Sequence, residues 1–209
     1  MEDKAEMTPV SKELLKPQDQ ILFHTKGLSL ISFGIRMLTK SFFNHVGVYV
    51  EEFDKKGYVI EALGRGVVRT PLEKYIENKN YILKVVRLRP EAFRDAQEHE
   101  KGKGMARERL YAKIGLKYDW WAIMWLGIKY LAKSYYRKGR KYIPLGNPLE
   151  SREKFFCSEL VCECFSGISS IVKNLFAGTI YPNVQCSEIT PKDIGKSKWV
   201  EYICGDGRL

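Results

Sequence analysis

The alternation running from His45 to Val50 constrains this chain most. Val46, Val48 and Val50 fall on one side of an extended backbone, and His45, Gly47 and Tyr49 on the other. A second strand follows over about Lys56 to Ala62, and a third over Tyr81 to Leu88. Ahead of them, Pro17-Gln18-Asp19 turns into a short strand at Ile21-Leu22-Phe23. Gly64 and Gly66 bracket Arg65 in a turn, after which Val67-Val68 resumes an extended course. Ser29 to Thr39 suits a short helix. From Glu91 the pattern becomes helical. Ala92, Ala96, Met105, Leu110 and Ile114 mark a first helix, weakened by Gly102 and Gly104 and closed by Gly115. Trp120 to Tyr135 gives a second helix, Phe156 to Phe165 a third, and Trp199 to Ile203 a last strand. Strands come first and helices later, so the expected class is α+β.

The chain has 209 residues, the size of one domain. It has no low-complexity tract and no repeat of solenoid period. Residues 1–16 read as a flexible lead and 17–209 as a single domain. The lead has no apolar signal core. Trp120 to Ala132, the most apolar stretch, is shorter than the ~20 residues of a membrane span and contains Lys129. A cytoplasmic location is therefore expected. The five cysteines (157, 162, 164, 186 and 204) are odd in number and lack scaffold spacing, which suits free thiols in a reducing compartment. The net charge of +10 comes mostly from scattered basic residues, with one cluster at Arg137, Lys138, Arg140 and Lys141. No nucleic-acid motif accompanies it, so no nucleic-acid partner is expected.

A cysteine nucleophile needs an imidazole to take its proton, a third polar group to orient that imidazole, and donors for the oxyanion. Of three histidines, His99 lies in a charged run and His24 has no evident partner. His45 begins a strand, a rigid place. With a five-residue loop at Glu51 to Lys55, Val50 faces Lys56 and His45 lies directly opposite Glu61, within imidazole–carboxylate reach. A turn at Asp54-Lys55-Lys56-Gly57 shifts that register and breaks the pairing; the residues allow both. Cys157 gains from a helix beginning near it, because the first amides and the helix dipole stabilise a thiolate. Against this, Asn147-Pro148-Leu149-Glu150 resembles a cap with proline at the first position, which would put Cys157 in mid-helix. On spacing alone Cys157 is no better a nucleophile than Cys162 or Cys164. No spaced Cys/His pairs, phosphate-binding glycine loop or Gly-x-Ser-x-Gly elbow is present, so neither a metal nor a cofactor is expected.

Several segments resemble one family in order. Asn44-His45-Val46-Gly47-Val48-Tyr49-Val50 is similar to its "Ser-His-Val-Gly-Ile-Tyr" strand. Val59-Ile60-Glu61-Ala62 with Gly66-Val67-Val68-Arg69-Thr70-Pro71-Leu72 resembles its second strand and following turn. Lys117-Tyr118-Asp119 resembles its "Pro-Tyr-Asp" element, Phe156-Cys157-Ser158-Glu159-Leu160-Val161 its nucleophile helix, and Ile189-Thr190-Pro191-Lys192-Asp193-Ile194 its late "Ser-Pro-x-Asp" turn. The family is that of the permuted NlpC-type papain-like hydrolases, particularly the YiiX-like branch, with lecithin:retinol acyltransferase a distant relative. The resemblance spans about Pro17 to Ile194. It departs at Gln18, Asn44 and Lys117, where the family usually has glycine, serine and proline.

The resemblance implies a circularly permuted papain-like fold: an antiparallel sheet packed against helices, with the nucleophile on a helix in the C-terminal half. It implies Cys157 as nucleophile at a helix start, His45 as base, Glu61 as its orienting group and Tyr118 near the oxyanion or substrate. It implies hydrolysis of an amide in a small peptide, an amino-acid amide or a cell-wall peptide, through a thioester. A second reading is a lipid acyltransferase or thioesterase at a membrane surface, with Trp120, Trp121, Ile123, Met124, Trp125 and Leu126 meeting the bilayer and Lys129, Lys133, Arg137 and Lys138 near headgroups. The competing expectation for that helix, and the favoured one, is burial in the core. A third reading is a non-catalytic binding module on the same fold.

Overall fold

The computed structural model describes residues 8–26, 41–124, 153–172, 174–176 and 185–206. The helix expected at Ser29 to Thr39 and most of the one expected at Trp120 to Tyr135 lie outside them, as does Asn147-Pro148-Leu149-Glu150. Six strands form one antiparallel sheet: β1 (Gln20–Thr25), β2 (His45–Glu51), β3 (Gly57–Leu63), β4 (Gly66–Pro71), β5 (Tyr81–Leu88) and β8 (Val200–Gly205), in the order β4-β3-β2-β1-β5-β8. Short strands β6 (Lys117–Tyr118) and β7 (Lys154–Phe155) pair in parallel apart from it. Among the described residues the complete α-helices are α1 (Glu73–Ile76), α2 (Ala96–Ala112), α3 (Cys157–Phe165) and α4 (Pro191–Lys196), and residues 120–124 are helical as well. This is the expected α+β arrangement.

Both faces of the central strands are buried, which explains the unbroken apolar run Ile21-Leu22-Phe23 in β1 and the buried stretch from Val46 to Val50 in β2. Val46, Val48, Val50, Ile60 and Val86 join Ala106 and Leu110 of α2 and Leu160 and Val161 of α3 in one core. Ile21, Phe23, Tyr49, Val59 and Val85 join Leu15, Leu72 and Tyr75 in a second core on the other side. Each fully buried side chain of this size is worth roughly 1.5–3 kcal/mol of transfer free energy. Gly102, a weak residue for a helix interior, is tolerated because α2 comes close to another segment there. A side chain at that position would stand 3.0 Å from the Ile168 carbonyl oxygen. In the segment expected as a flexible lead, Thr8 bridges to Gly205 and Leu15 packs into the second core.

The β2–β3 register differs from expectation. The loop is Glu52 to Lys56, with Lys55 at φ 58°, and Glu51 faces Gly57. The ladder runs on through Val48 opposite Ile60, which sets Glu61 across from Gly47 rather than His45. A shift of two residues preserves the face, because strand side chains alternate with period two. His45 therefore reaches Glu61 on the diagonal, over Gly47, and the pairing survives this two-residue shift; the alternative turn at Asp54-Lys55-Lys56-Gly57 is not the one formed. Only glycine leaves that route open: a β-carbon at position 47 would stand 2.4 Å from Val59 Cγ1 and 3.1 Å from Glu61 Cβ.

A second correction concerns the thiols. Cys162 and Cys186, expected to be free, are joined in a disulfide with their α-carbons 5.3 Å apart. Helix α3 turns Cys162 toward the 3-10 turn at Cys186–Glu188, and 24 residues of separation hide the pairing from any spacing rule. Cys157, Cys164 and Cys204 are free and buried. Among the described residues no helix is long and apolar enough to cross a membrane.

The packing at Gly47 gives a direct test of the diagonal register. Gly47→Ala should lower stability by about 1–3 kcal/mol through overpacking, read as a lower urea midpoint with an unchanged slope. A wild-type midpoint would mean that β2 and β3 pair differently.

Candidate active site

Helix α3 packs against β2 and β3 and starts at Cys157. Strand β7 ends two residues earlier, at Phe155, so a helix continuing from Pro148 through Cys157 is ruled out. Cys157 occupies the first helical position, where backbone N–H groups lack intrahelical acceptors and the dipole favours negative charge. The surrounding residues hold this start in place. Glu159 Oε2 accepts from Phe156 N at 3.3 Å, reaching back over the first turn. Ser158 Oγ donates to the Ile189 carbonyl at 2.6 Å. Ile189 leads into α4, whose cap is Thr190 with Asp193: Thr190 N and Oγ1 both donate to Asp193 Oδ2, at 2.9 and 2.6 Å.

His45 meets this helix start from the first residue of β2. Its Nε2 lies 2.6 Å from Glu61 Oε2, and the ring also hydrogen-bonds Cys157, leaving Nδ1 for the thiol. Glu61 is fully buried, and the His45 side chain keeps 17% of its surface. The second carboxylate oxygen, Oε1, accepts a short hydrogen bond from the Tyr75 hydroxyl. Burial pushes the His45 imidazole down, but the hydrogen bonds and charges of Cys157 and Glu61 prevail and raise it from 6.5 to about 10. Burial pushes Glu61 up, yet its hydrogen bond and charge interaction with His45 bring it below the usual carboxylate value. Its partners Cys157 and Glu61 thus favour the protonated form of His45 over the pull of burial.

Tyr118 arrives through the parallel pairing of β6 with β7, opposite Phe155 and two residues before Cys157 in the partner strand. Burial, then the charges of Cys157, Asp119 and Glu159, raise its hydroxyl well above the ordinary phenol value, so it stays a donor. Asp119, next in the motif, is buried and caps the helical residues 120–124, accepting from Ala122 N at 2.8 Å. The structure therefore brings together all four residues singled out in the sequence: Cys157, His45, Glu61 and Tyr118. The other histidines lie elsewhere: His24 Nδ1 is 2.7 Å from the Phe42 carbonyl oxygen, and His99 stacks on Phe93 at 4.5 Å. Tyr75 was missed. It sits in a four-residue helix with no periodic signal, and only its position after the Thr70-Pro71-Leu72 turn pointed toward the site.

A family profile described as a permuted papain-like amidase enzyme, YaeF/YiiX, matches residues 17–139. That span takes in His45, Glu61 and Tyr118 and stops short of Cys157. No curated protein matches the chain. Among solved structures, the crystal structure of metalloprotein yiiX from Escherichia coli O157:H7 is similar, with TM-score 0.56 at 18% identity over 91% of this chain and 97% of that one. At that identity the likeness is one of fold.

The imidazolium has a signature in solution. The His45 ring should titrate near pH 10 by NMR, and at a lower value in Glu61→Gln, which loses the carboxylate charge. A raised folded-state value means that this contribution to stability is complete below the ordinary imidazole value and is lost as pH rises through about 10. Wild-type stability should therefore fall over that interval more steeply than that of Glu61→Gln. Parallel stability curves would contradict the ion-paired arrangement.

Proposed function

The chain belongs to the family of permuted papain-like amidases of the YaeF and YiiX type, and from that premise we propose that it cleaves an amide bond through a thioester on Cys157. The observation that carries this reading is the hydrogen-bonded series Cys157–His45–Glu61 at the first turn of a helix. With its proton on His45, Cys157 Sγ attacks the carbonyl carbon of the substrate amide. The oxygen that becomes negative is met by the first amides of α3 and the Tyr118 hydroxyl. Collapse of the tetrahedral intermediate breaks the C–N bond, and His45 gives its proton to the departing amine. Water then adds to the thioester with His45 as base, releasing a carboxylic acid and restoring the thiol and its proton. The substrate class we assign is a small peptide or amino-acid amide, such as a cell-wall peptide fragment.

The fold neighbour is described as a metalloprotein. Here, among the described residues, no three His, Cys, Asp or Glu side chains stand together in a way that could hold an ion, and His45 Nε2 is already engaged by Glu61. The described residues do not fit a metal, and no step runs through one.

One observation favours a second reading, action at a membrane surface. The helix begun by Asp119 was expected to pack into the core, yet Trp120, Trp121 and Met124 are about half exposed. Trp120 also makes an edge contact with Tyr118, ring centres 4.8 Å apart, which places this apolar surface beside the site. Arg65 and Lys117 are exposed nearby, a pairing of aromatics and cations that suits anionic lipid.

Hydrolysis of aminoacyl and dipeptidyl coumarin amides tests the main reading. Cys157→Ala and His45→Ala should each lose at least about 10³-fold in rate, and Tyr118→Phe roughly 10²-fold in kcat. Turnover that survives Cys157→Ala would overturn the assignment. For the second reading, the protein should co-sediment with phosphatidylglycerol vesicles at low salt, and Trp121→Ala should weaken this. Equal recovery from neutral phosphatidylcholine vesicles, or none from either, would leave the soluble amide as the substrate.

A further inference from the structure

We propose that Tyr75 is a positioning residue of this site, the group that keeps Glu61 ionised and fixed so that Glu61 can hold His45. This rests on the reading of Cys157 as a nucleophile activated by His45. A carboxylate with no exposed surface must have both oxygens satisfied or it takes up a proton. Glu61 Oε2 is held by His45 Nε2 and Oε1 by the Tyr75 hydroxyl, and the Thr70 side chain adds a further hydrogen-bonding influence on both Glu61 and Tyr75. His45 alone would let the carboxylate rotate about its last bond. With Tyr75 on the other oxygen, both hydrogen bonds fix one rotamer, and the imidazole is aimed at Cys157.

The placement of Tyr75 is itself over-determined. Its ring packs edge-on against Phe23 at 4.7 Å and against Tyr81 at 5.0 Å, and Phe23 in turn lies 5.2 Å from the His45 ring. The backbone fixes its start: Tyr75 N donates to the Leu72 carbonyl at 2.9 Å and Leu72 N to the Gly57 carbonyl at 3.1 Å, which ties α1 to the first residue of β3. Tyr75 is buried. Burial, followed by the Glu61 charge, drives its hydroxyl far above the ordinary phenol value. It therefore remains a proton donor throughout the working range and never competes with His45 for the site's proton. Tyr75 belongs to the second core, whereas Cys157 belongs to the first. Its action is through Glu61.

The test is the rate of Cys157 alkylation by iodoacetamide as a function of pH, followed by mass spectrometry at that cysteine. Removing a hydrogen bond to the ionised form raises a carboxylate's pKa. In Tyr75→Phe, which keeps the ring, Glu61 should protonate earlier on acidification. The acid limb of the labelling profile should then move up by about one pH unit, with the plateau rate falling roughly tenfold. Tyr81→Phe disturbs the same aromatic cluster without touching the carboxylate and should keep the wild-type profile. In the wild type, the Tyr75 hydroxyl proton should give a downfield resonance that disappears on acidification with the same midpoint as the labelling. This measurement stands even if Tyr75→Phe does not fold. If wild-type labelling depends on His45 and Tyr75→Phe matches wild type, the role of Tyr75 is overturned and the nucleophile assignment survives. A hydroxyl resonance that persists while reactivity is lost would also overturn it. If wild type and His45→Ala label alike, the activated nucleophile fails, and Tyr75 with it.

Discussion

The site is organised around the burial of one carboxylate. Glu61 has no solvent to share its charge, and an unpaired carboxylate there would protonate rather than remain ionic. Its two oxygens have different partners, and each partner imposes a condition on the fold. The bond to His45 requires a diagonal reach across two strands, which requires glycine at 47 and the tight Glu52 to Lys56 loop. The bond to Tyr75 requires a helical turn directly after β4, placed by the Leu72 to Gly57 contact and packed on Phe23 and Tyr81. The sheet and its first helix thus form a scaffold that fixes an imidazole before any cysteine is considered.

The cysteine comes from the other end of the chain, and a different set of contacts sets its position. Strand β7 delivers the chain to a helix that begins at Cys157, and the Glu159, Ser158 and Thr190–Asp193 hydrogen bonds keep that beginning from sliding. The same strand carries Tyr118 alongside through β6. Five residues beyond the cysteine, the Cys162–Cys186 disulfide joins the helix to the turn that leads to Ile189. The two halves meet where α3 lies across β2 and β3, so the reactive pair is made by tertiary packing rather than by a contiguous motif.

This division explains what could be read in the sequence. Strands β2 and β5 and helix α3 were legible because each has an unbroken periodic pattern with a clear stop. The nearness of His45 and Glu61 was legible too, though by the wrong register: an error of two residues leaves the face unchanged and costs only the directness of the pairing. Tyr75 had no such signal, since a single turn of helix has no period. The choice of Cys157 over Cys162 or Cys164 came from resemblance alone, and the structure supplies its physical reason in the helix start. The same is true of Gln18, a departure from the usual glycine. It lies at φ 70°, a conformation glycine adopts freely, with its amide bonded to the Tyr49 carbonyl at 2.8 Å.

The opposing influences on His45 also bear on how one residue can serve both halves of a hydrolysis. In the resting site the largest influence, burial, disfavours the imidazolium, and the hydrogen bonds and charges of Cys157 and Glu61 overcome it. Acylation then converts Cys157 into a neutral thioester, and both its hydrogen bond and its charge disappear from the neighbourhood of His45. Burial remains, opposed by Glu61 alone, and the imidazole's affinity for a proton falls. The group that was an acid when the amine left becomes a base as water arrives, with no movement of the fold. Glu61 must stay ionised through both steps, because after acylation it is the one acidic partner named for His45 that still opposes the effect of burial.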